Sequence, residues 1–414
     1  MKILFFSRQP PIPLDNGARM RTHALANGLA ASSRLHFLGW DTQPGNTLAR
    51  ESHEAVAAAL PGAEVVELIP RPGREKRRLQ LETMLLGRSY GFRTHAHKPM
   101  ARALLRAIEE FEPDLLHCDD LLLGDLARLA PSSIVRVMAL HNIESLLMAR
   151  MADTTDELFR RKLYIKEAEL RRQWEEAHLT EFDLCTCVFN EDANHVAALG
   201  ANAVCVPNGV DRHQKPSPVR SLGGSEPLRL LFIGSGSWEP NRMGMAWFVE
   251  KVLPAIDCPV FPQITIVGAH WDWLDSPHCQ VAGHVPSIEE YYKSHDVALV
   301  PLLAGGGSRL KVAEALAKGV PLVGTSVGLE GYSLVPGVHA LFGDTPAQLA
   351  EQIQDLDKSY RTATETVDRQ VAAGFQHIER FFWDEIGRRM IGVYEDVVEE
   401  KRSGSRPAPI RGSA

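Results

Sequence analysis

The segment from residue 296 to 331 limits the fold more than any other part of the chain, because a buried strand, a glycine-rich loop and a helix follow one another in it. Residues 296–300 (DVALV) form a short apolar run, which is typical of a strand buried on both faces. Three glycines follow at 305–307, and Ser308 stands where a helix N-cap is expected. Gly319 marks the end of that helix. The pattern predicts one strand–loop–helix unit of a parallel α/β sheet.

The glycine loop and its helix also indicate an anion site. The first amides of a helix that begins on bare glycine backbone point into the crevice above the strand, where the positive end of the helix dipole favours a phosphate. Arg309 and Lys311 add formal positive charge at the same place. A tight turn that needs glycine only for its backbone conformation explains these residues equally well, so both interpretations stay open at this point.

Strands and helices alternate along the whole chain, which predicts an α/β protein with doubly wound parallel sheets. A length of 414 residues is too great for one ordinary α/β core and, at roughly 150 residues per domain, favours two. In the first half we predict strands at 2–7, 34–39, 64–69, 114–118, 134–140, 184–189 and 203–206, and helices at 18–31, 47–59, 97–110, 120–129, 156–178 and 191–199. The second half repeats this architecture, with strands near 228–233, 263–267 and 297–300 and a helix near 242–252.

Composition suggests where the domains end. Residues 212–226 (RHQKPSPVRSLGGSE) are rich in Pro, Ser and Gly without an apolar period, so we predict a linker there. It separates an N-terminal Rossmann-like domain, 1–211, from a C-terminal Rossmann-like domain, 227–376. A helical segment with several large aromatic residues follows at 377–401, and the tail 402–414 is predicted to be flexible.

Bulk composition excludes several classes of protein. Apolar residues make up 44% of the chain and charged residues 23%, as in globular proteins, and no apolar run approaches the ~20 residues of a membrane span. The opening MKILFFSRQPP resembles a first strand more than a signal peptide, so a cytoplasmic location is expected. Six scattered cysteines indicate neither a disulfide framework nor a zinc site. A net charge of −7 argues against nucleic-acid binding.

One basic run stands out against this acidic background. Residues 71–78 (RPGREKRR) lead into an amphipathic stretch, and such a run is a candidate for peripheral contact with the anionic inner face of a membrane. A solvated loop explains the run at least as well, so both interpretations stay open.

Polar residues follow three of the predicted strands in the first half, at the edge where open α/β sheets bind ligands. Gly17 ends a proline-rich loop after the first strand, and Arg19 lies in the first helical turn, where a cation is unfavourable unless an anion is near. Asp120 comes two residues after the strand at 114–118, and His141 directly follows the strand at 134–140. We therefore treat Gly17, Asp120 and His141 as candidate catalytic residues.

Six motifs together resemble the retaining glycosyltransferases of the GT-B fold, in particular family 4 of the glycosyltransferase classification. That resemblance covers almost the whole chain and implies two Rossmann-like domains facing a cleft, an N-terminal acceptor domain and a C-terminal nucleotide-sugar donor domain, with the last helix crossing back to the first domain. The motifs are PLDNGARxR at 13–21, His141-Asn142-Ile143-Glu144, VPNGVD at 206–211, Gly234 with Trp238-x-Pro240-Asn241, Gly283-x-Val285 and GGGSRLKVAEALAKG at 305–319.

The resemblance also implies roles for individual residues. It implies transfer of a sugar from a nucleotide-diphosphate sugar to a hydroxyl with retained anomeric configuration, with no metal and no cofactor besides the donor. Gly17 would lie beside the donor diphosphate, and His141 near the donor sugar. The residues implied for the diphosphate and sugar are Arg19, Gly234, Asn241, Gly306, Gly307, Arg309 and Lys311, and those for the ribose and base are Gly283, Val285 and Glu314.

The chain departs from the family pattern in two places. Gly306 occupies the position of the family's first glutamate, so the carboxylate that usually contacts the donor sugar is missing. Ser235 and Asn241 stand where the family has an arginine and a lysine, so we expect Arg309 and Lys311 to supply the positive charge, with Arg19 or Arg21 as further candidates. Glu314 has a second explanation, an ordinary surface ion pair with Lys311 or Lys318 along the helix.

Two other functions fit the same motifs. A nucleotide-sugar epimerase on this fold needs carboxylates at the sugar for proton transfer, and Gly306 supplies none. A non-catalytic nucleotide-binding subunit would keep the crevice without turnover. The residues do not distinguish a glycan, a lipid-linked sugar, a peptide or a small molecule as the acceptor.

Overall fold

Two parallel β-sheets, each in its own unit, organise the chain in the computed structural model, which describes residues 1–14, 17–41, 49–70, 76–155, 157–304 and 309–404. The first unit comprises Met1–Asn208 together with the chain from Ile386 onward, and the second comprises Gly209–Glu385. The predicted fold class, two doubly wound parallel sheets with a last helix that returns to the first unit, is confirmed.

In the first unit, seven parallel strands have the order β3-β2-β1-β4-β5-β6-β7. The strands are β1 (Lys2–Ser7), β2 (Arg34–Trp40), β3 (Val65–Ile69), β4 (Leu115–Cys118), β5 (Val135–Leu140), β6 (Leu184–Cys187) and β7 (Ala203–Cys205). The helices are α1 (Gly17–Ala30), α2 (Ala49–Ala59), α3 (Lys76–Leu86), α4 (Tyr90–His95), α5 (Lys98–Phe111), α6 (Gly124–Ala127), α7 (Glu144–Thr154), α8 (Leu158–His178) and α9 (Asn190–Ala198).

In the second unit, six parallel strands have the order β10-β9-β8-β11-β12-β13. The strands are β8 (Arg229–Ile233), β9 (Gln263–Val267), β10 (Cys279–Gly283), β11 (Val297–Val300), β12 (Leu322–Gly324) and β13 (Leu341–Phe342). The helices are α10 (Glu239–Trp247), α11 (Glu289–Ser294), α12 (Leu310–Ala317), α13 (Pro346–Thr362) and α14 (Thr364–Ile378), and α15 (Trp383–Ser403) follows them.

The central strands form because their side chains are apolar on both faces. Residues 3–6 of β1 are fully buried, and all four residues of β11 are buried as well. Buried polar side chains stand where two of these strands end, at Ser7 in β1 and at Asp119 after β4. In both sheets the strand order reverses beside the first strand of the unit, which is where open α/β sheets form a ligand crevice.

The segment predicted to be a linker, 212–226, lies within the second unit. The guanidinium of Arg220 donates to both carboxylate oxygens of Asp296, over 2.6 and 2.9 Å, and Leu222 is buried in that unit's core. Ion pairs and backbone hydrogen bonds to distant residues attach this segment to the unit, and the segment has no apolar face of a helix or strand. The periodicity of the sequence therefore does not reveal that it belongs to the second unit.

The helical segment predicted at 377–401 is interrupted. Helix α14 ends at Ile378, a short 3₁₀ turn covers Glu379–Phe381, and α15 starts at Trp383. The amide of Val210 donates to the carbonyl of Phe381 over 3.0 Å, and this bridge fixes the break. No helix in the described ranges is long and apolar enough to cross a membrane.

Candidate functional site

A buried carboxylate, Asp119, organises the carboxyl edge of the first sheet. Its Oδ2 accepts hydrogen bonds from the hydroxyls of Ser7 at the end of β1 (3.2 Å) and Thr22 in α1 (2.5 Å). Its Oδ1 lies 3.2 Å from Nε2 of His141, the first residue after β5. Because β1, β4 and β5 are neighbours in the sheet, side chains that follow these strands converge on one place.

Asp119 is ionised despite its burial. Burial alone would raise the pKa of this carboxyl, but the electrostatic interaction and hydrogen bond with His141, together with the nearby His117, outweigh that effect and hold the pKa well below its usual range. An ionised carboxylate only accepts hydrogen bonds, so the Nε2 of His141 must donate to it. The Nδ1 of a neutral His141 is then left as an acceptor, and Asp119 therefore sets the tautomer of His141.

His117 supports this arrangement from inside the core. Its Nδ1 lies 2.6 Å from the hydroxyl of Tyr394 in α15, and its Nε2 lies 3.6 Å from Oδ1 of Asp119. Burial lowers the pKa of His117, so the ring is neutral and its Nδ1 accepts from the tyrosine. The Nε2–H then faces the carboxylate at a distance too long for a hydrogen bond, and among the described residues this atom has no hydrogen-bond partner.

Asp119 was not among the residues predicted from the sequence; Asp120, the next residue, was. The side chain of Asp120 accepts from the amide of Leu122 (2.8 Å) as an N-cap and pairs with Nε of Arg8 (3.0 Å). Strand alternation distinguishes the two residues, because positions 117 and 119 point to the same side and 120 to the other.

The two arginines of α1 that were proposed for charge compensation, Arg19 and Arg21, lie in different environments. Gly17 begins the helix, and Arg19 is half-buried in its first turn. Arg21 is 2% exposed and donates to the carbonyl oxygens of Val206 (2.8 Å) and Pro207 (3.0 Å). Arg21 thus fixes α1 to the VPNGVD segment, and its charge is directed to backbone carbonyls.

Lys311 and Asn241 meet at the edge of the second sheet, where β8 and β11 are neighbours. The ammonium of Lys311 donates to Oδ1 of Asn241 over 3.1 Å and lies 4.3 Å from the centre of the Phe232 ring. The amide nitrogen of Asn241 donates in turn to the carbonyl of Ser235 over 2.9 Å. The loop after β8 therefore holds Asn241, and Asn241 holds the lysine.

Gly234 makes this close approach possible. A Cβ atom at this position would lie 2.5 Å from the side-chain nitrogen of Asn241 and 3.0 Å from Nζ of Lys311. Any larger residue would displace the pair, so the glycine is explained by the space that Lys311 and Asn241 occupy.

Burial, together with the neighbouring charge of Arg309, lowers the pKa of Lys311 to about 7. Arg309 is 4% exposed, is the N-cap residue of α12 and lies 6.0 Å from the ring of Trp238. Two cationic side chains therefore stand at the N-terminus of α12, where the helix dipole is also positive. This concentration of positive charge is unfavourable by itself and favours an anionic ligand.

Glu314 is half-buried in α12 and accepts a hydrogen bond from the hydroxyl of Tyr292 (3.1 Å). Burial raises the pKa of this carboxyl. Lys318 pairs with Glu289 instead, and no ion pair to Glu314 exists in the part of the chain that the structure describes. The alternative explanation of Glu314 by a helix-surface ion pair is thus not what the structure shows.

Of the remaining predicted residues, the structure describes Gly283 and Val285. Gly283 ends β10 with a φ of +71°, and its carbonyl accepts from the amide of Gly268 over 2.8 Å, while Val285 packs against the core of the second unit. Gly306 and Gly307 lie outside the described residues.

Within the described ranges, no three His, Cys, Asp or Glu side chains are gathered in a way that could hold a metal ion.

Comparison with known families explains this combination of sites. The family model described as "Glycosyltransferase Family 4" matches residues 16–214, and the model described as "Glycosyl transferases group 1" matches residues 227–358. The chain belongs to family 4 of the glycosyltransferases. Asp119 and His141 lie in the Family 4 region, and Asn241 and the N-terminal turn of α12 lie in the group 1 region.

Curated members of the family match about half of this chain. A phosphatidyl-myo-inositol mannosyltransferase of Mycobacterium leprae is 27% identical over 220 residues, which cover 50% of this chain and 57% of the relative. The corresponding protein of Mycobacterium tuberculosis is 26% identical over 212 residues, 48% of this chain and 56% of the relative. The matches thus span little more than half the length of these relatives.

Solved structures share the fold over nearly the whole chain. Sucrose-phosphate synthase from Thermosynechococcus elongatus has a TM-score of 0.68 at 16% identity and covers 96% of this chain and 99% of its own. Anabaena HepE, in complex with UDP and glucose, has a TM-score of 0.63 at 12% identity and covers 95% and 99%. At these identities the likeness establishes the GT-B fold.

Proposed function

We propose that the protein transfers a sugar from a nucleotide-diphosphate sugar to an acceptor hydroxyl, with retention of anomeric configuration and without a metal ion. The observation that carries the proposal is the Lys311–Asn241 pair at the N-terminus of α12, beside the half-buried Glu314. Family membership supports it, and so do the UDP and glucose bound in Anabaena HepE. The phosphatidyl-myo-inositol mannosyltransferases add a precedent for a lipid-linked acceptor.

On the second unit we assign the leaving diphosphate to Lys311, Arg309 and the first amides of α12. Negative charge grows on the diphosphate oxygens as the bond to the sugar breaks, and fixed cations and helix amides stabilise that charge without reorganising. Glu314 accepts hydrogen bonds from the ribose hydroxyls, and Tyr292 holds its carboxylate in place. Gly283 and Val285 meet the base.

On the first unit we assign the reacting sugar to His141. Because Asp119 takes the Nε2–H of this ring, the Nδ1 is left to accept a hydrogen bond from a sugar hydroxyl. Asp119 itself acts through His141, and Gly17 at the start of α1 leaves room for the substrate.

Nucleoside diphosphates are expected to raise the melting temperature. Ligand that binds only the folded state at about 100 times its Kd stabilises by ~2.7 kcal/mol, which shifts the Tm by several degrees. We expect the shift with one or more of UDP, GDP, dTDP and ADP, unchanged by a metal chelator. Glu314→Ala should abolish it and Tyr292→Phe should reduce it, because the phenylalanine leaves the carboxylate unoriented.

Tyr291→Phe is the matched control, since the neighbouring Tyr291 stacks on His295 and does not contact Glu314. If none of the four nucleotides stabilises the protein, the donor assignment is wrong. Transfer of sugar to an added acceptor, without epimerised donor in its absence, then separates transferase from epimerase.

Donor binding is also expected to weaken as the pH rises above 7. The pKa of Lys311 is about 7, so the ammonium that would bind the diphosphate is lost above pH 7, whereas the two phosphates of a nucleotide-diphosphate sugar stay ionised throughout this range. Affinity for the nucleotide sugar should fall by about tenfold between pH 7 and 8.5, measured by calorimetry.

Stability without ligand should change in the opposite direction. The pKa of Lys311 is lower in the folded protein than its ordinary value of 10.5, so the unfolded chain binds more protons between these values and folding becomes more favourable as the pH rises. Lys311→Arg keeps its charge over this range, so its affinity should stay constant. A wild-type affinity that does not depend on pH would show that Lys311 does not bind the diphosphate.

A further inference from the structure

Large apolar side chains are exposed on two packed helices of the first unit, α3 and the start of α8. The helices are joined by a hydrogen bond from Thr83 to Glu167 over 3.3 Å. Leu85 at 81% and Leu158 at 66% are the most exposed of these side chains. The whole set, which we name the α3–α8 surface, is Leu81, Leu85, Leu86, Leu158, Phe159 and Ile165.

A cavity of about 630 Å³ opens between the same helices. Leu81, Phe159 and Leu163 form the apolar part of its lining. Arg77 and Arg160 add cationic groups. The lining is mixed, because Gln80, Tyr90, Glu157 and Tyr164 also contribute to it. An apolar chain that carries an anionic group matches both features.

Basic side chains surround the surface. The first nine residues of α8, LFRRKLYIK, include Arg160, Arg161, Lys162 and Lys166 and no acidic residue. On α3, Arg78 pairs with Glu82 over 2.9 Å, and Arg160 pairs with Glu157 over 2.9 Å. Two carboxylates thus offset only part of the positive charge, although the chain as a whole is acidic at −7.

We propose that the α3–α8 surface docks the protein on an anionic lipid bilayer. Exposed leucine and phenylalanine side chains enter the boundary between headgroups and acyl chains, and the surrounding arginines and lysines contact lipid phosphates. The basic run 71–78 is a candidate membrane contact from the sequence; its residues 76–78 belong to α3, and residues 71–75 lie outside the described residues. The inference does not depend on the proposed transfer reaction.

Helix α8 connects this surface to the reaction edge of the same unit. Glu167 is fully buried and accepts from the hydroxyl of Ser89 (2.7 Å) and the amide of Tyr90 (2.8 Å), which fixes the helix in place. One turn further, about 6 Å at the rise of an α-helix, Arg171 contacts Glu144 at the start of α7. A docked bilayer would therefore lie close to the edge that carries His141, as a membrane-embedded acceptor requires.

Vesicle co-sedimentation with the full chain tests the proposal. Wild type should bind vesicles of phosphatidylcholine with phosphatidylglycerol and bind pure phosphatidylcholine weakly, and raised salt should weaken binding to the anionic vesicles. The double variant Leu85→Ser/Leu158→Ser should lose about tenfold or more of its partition, because two exposed apolar anchors are removed. Both side chains are exposed, so the fold should persist, and an unchanged Tm checks this.

Leu105→Ser/Leu129→Ser is the matched control, since these leucines are 46% and 48% exposed elsewhere in the same unit. It should bind vesicles as wild type does. Equal vesicle binding by the Leu85/Leu158 variant and wild type, or an equal loss in the control, would overturn the proposal. Sedimentation can also show a concentration-dependent dimer of the wild type and the control. If the Leu85/Leu158 variant loses that dimer but still binds vesicles, the surface binds a second copy of the chain.

Discussion

Replacing Lys311 by asparagine is expected to lower kcat/KM for the nucleotide sugar by about 10²- to 10³-fold. The variant removes a half-buried cationic group from the place where we assign the leaving diphosphate, and loss of one such preorganised group typically costs ~3–4 kcal/mol of transition-state stabilisation. Steady-state kinetics with the donor that gives the largest thermal shift measures the effect. Without donor, the variant should be no less stable than wild type, because a lysine with a lowered pKa destabilises the folded state at neutral pH.

The partner of Lys311 provides a rescue. Because Nζ of Lys311 lies 3.1 Å from Oδ1 of Asn241, a lysine at 241 in the Lys311→Asn background returns the ammonium to nearly the same place. The exchanged variant, Asn241→Lys/Lys311→Asn, should recover at least tenfold of the lost kcat/KM. Asn241→Lys alone brings two cations together and should be impaired. If the exchanged variant is as inactive as Lys311→Asn, activity depends on the position of the ammonium group and not on its charge alone.

The fold was predictable where a physical constraint leaves a one-dimensional pattern. A parallel strand buried on both faces must be apolar throughout, which is why β1 and β11 were found within a residue or two. The break between α14 and α15 was not found, since Phe381 and Phe382 continue an apolar helical pattern. The bridge from Val210 holds that segment out of the helix, and it joins residues that are far apart in sequence.

The candidate site shows the same limit more sharply. His141 was predicted from the end of a strand and Lys311 from the start of a helix, because both are local features of the sequence. The choice between Asp119 and Asp120 depends on which side of a strand end each residue faces, and the contacts of Asp119 come from β1, α1 and the residue after β5. The Lys311–Asn241 contact spans 70 residues, and a local pattern carries no signal for it.

Asp119→Asn is expected to reduce turnover by about 10²-fold or more while it leaves donor affinity on the second unit almost unchanged. An asparagine side chain has the size of the aspartate but offers one acceptor oxygen and one NH₂ donor, so it cannot accept from both hydroxyls and the His141 ring. His141 then loses the partner that fixes Nε2–H and orients its ring. The expected signature is a fall in kcat with a retained nucleotide-induced rise in Tm.

Stability must be separated from this catalytic effect, because Asp119 is buried and its hydrogen bonds are charge-assisted, each worth ~1.5–3 kcal/mol. Tyr394→Phe supplies that control: it removes the hydroxyl 2.6 Å from Nδ1 of His117 and lowers stability from the same core, yet it leaves the Asp119–His141 contact intact. If His141 acts through the tautomer that Asp119 imposes, Tyr394→Phe should lose stability but keep most of its kcat, and His141→Ala should be about as slow as Asp119→Asn.

The double variant Asp119→Asn/His141→Ala tests whether the two residues act as one unit. If they do, the double variant should be no slower than either single variant. Losses that multiply would assign Asp119 an effect independent of His141.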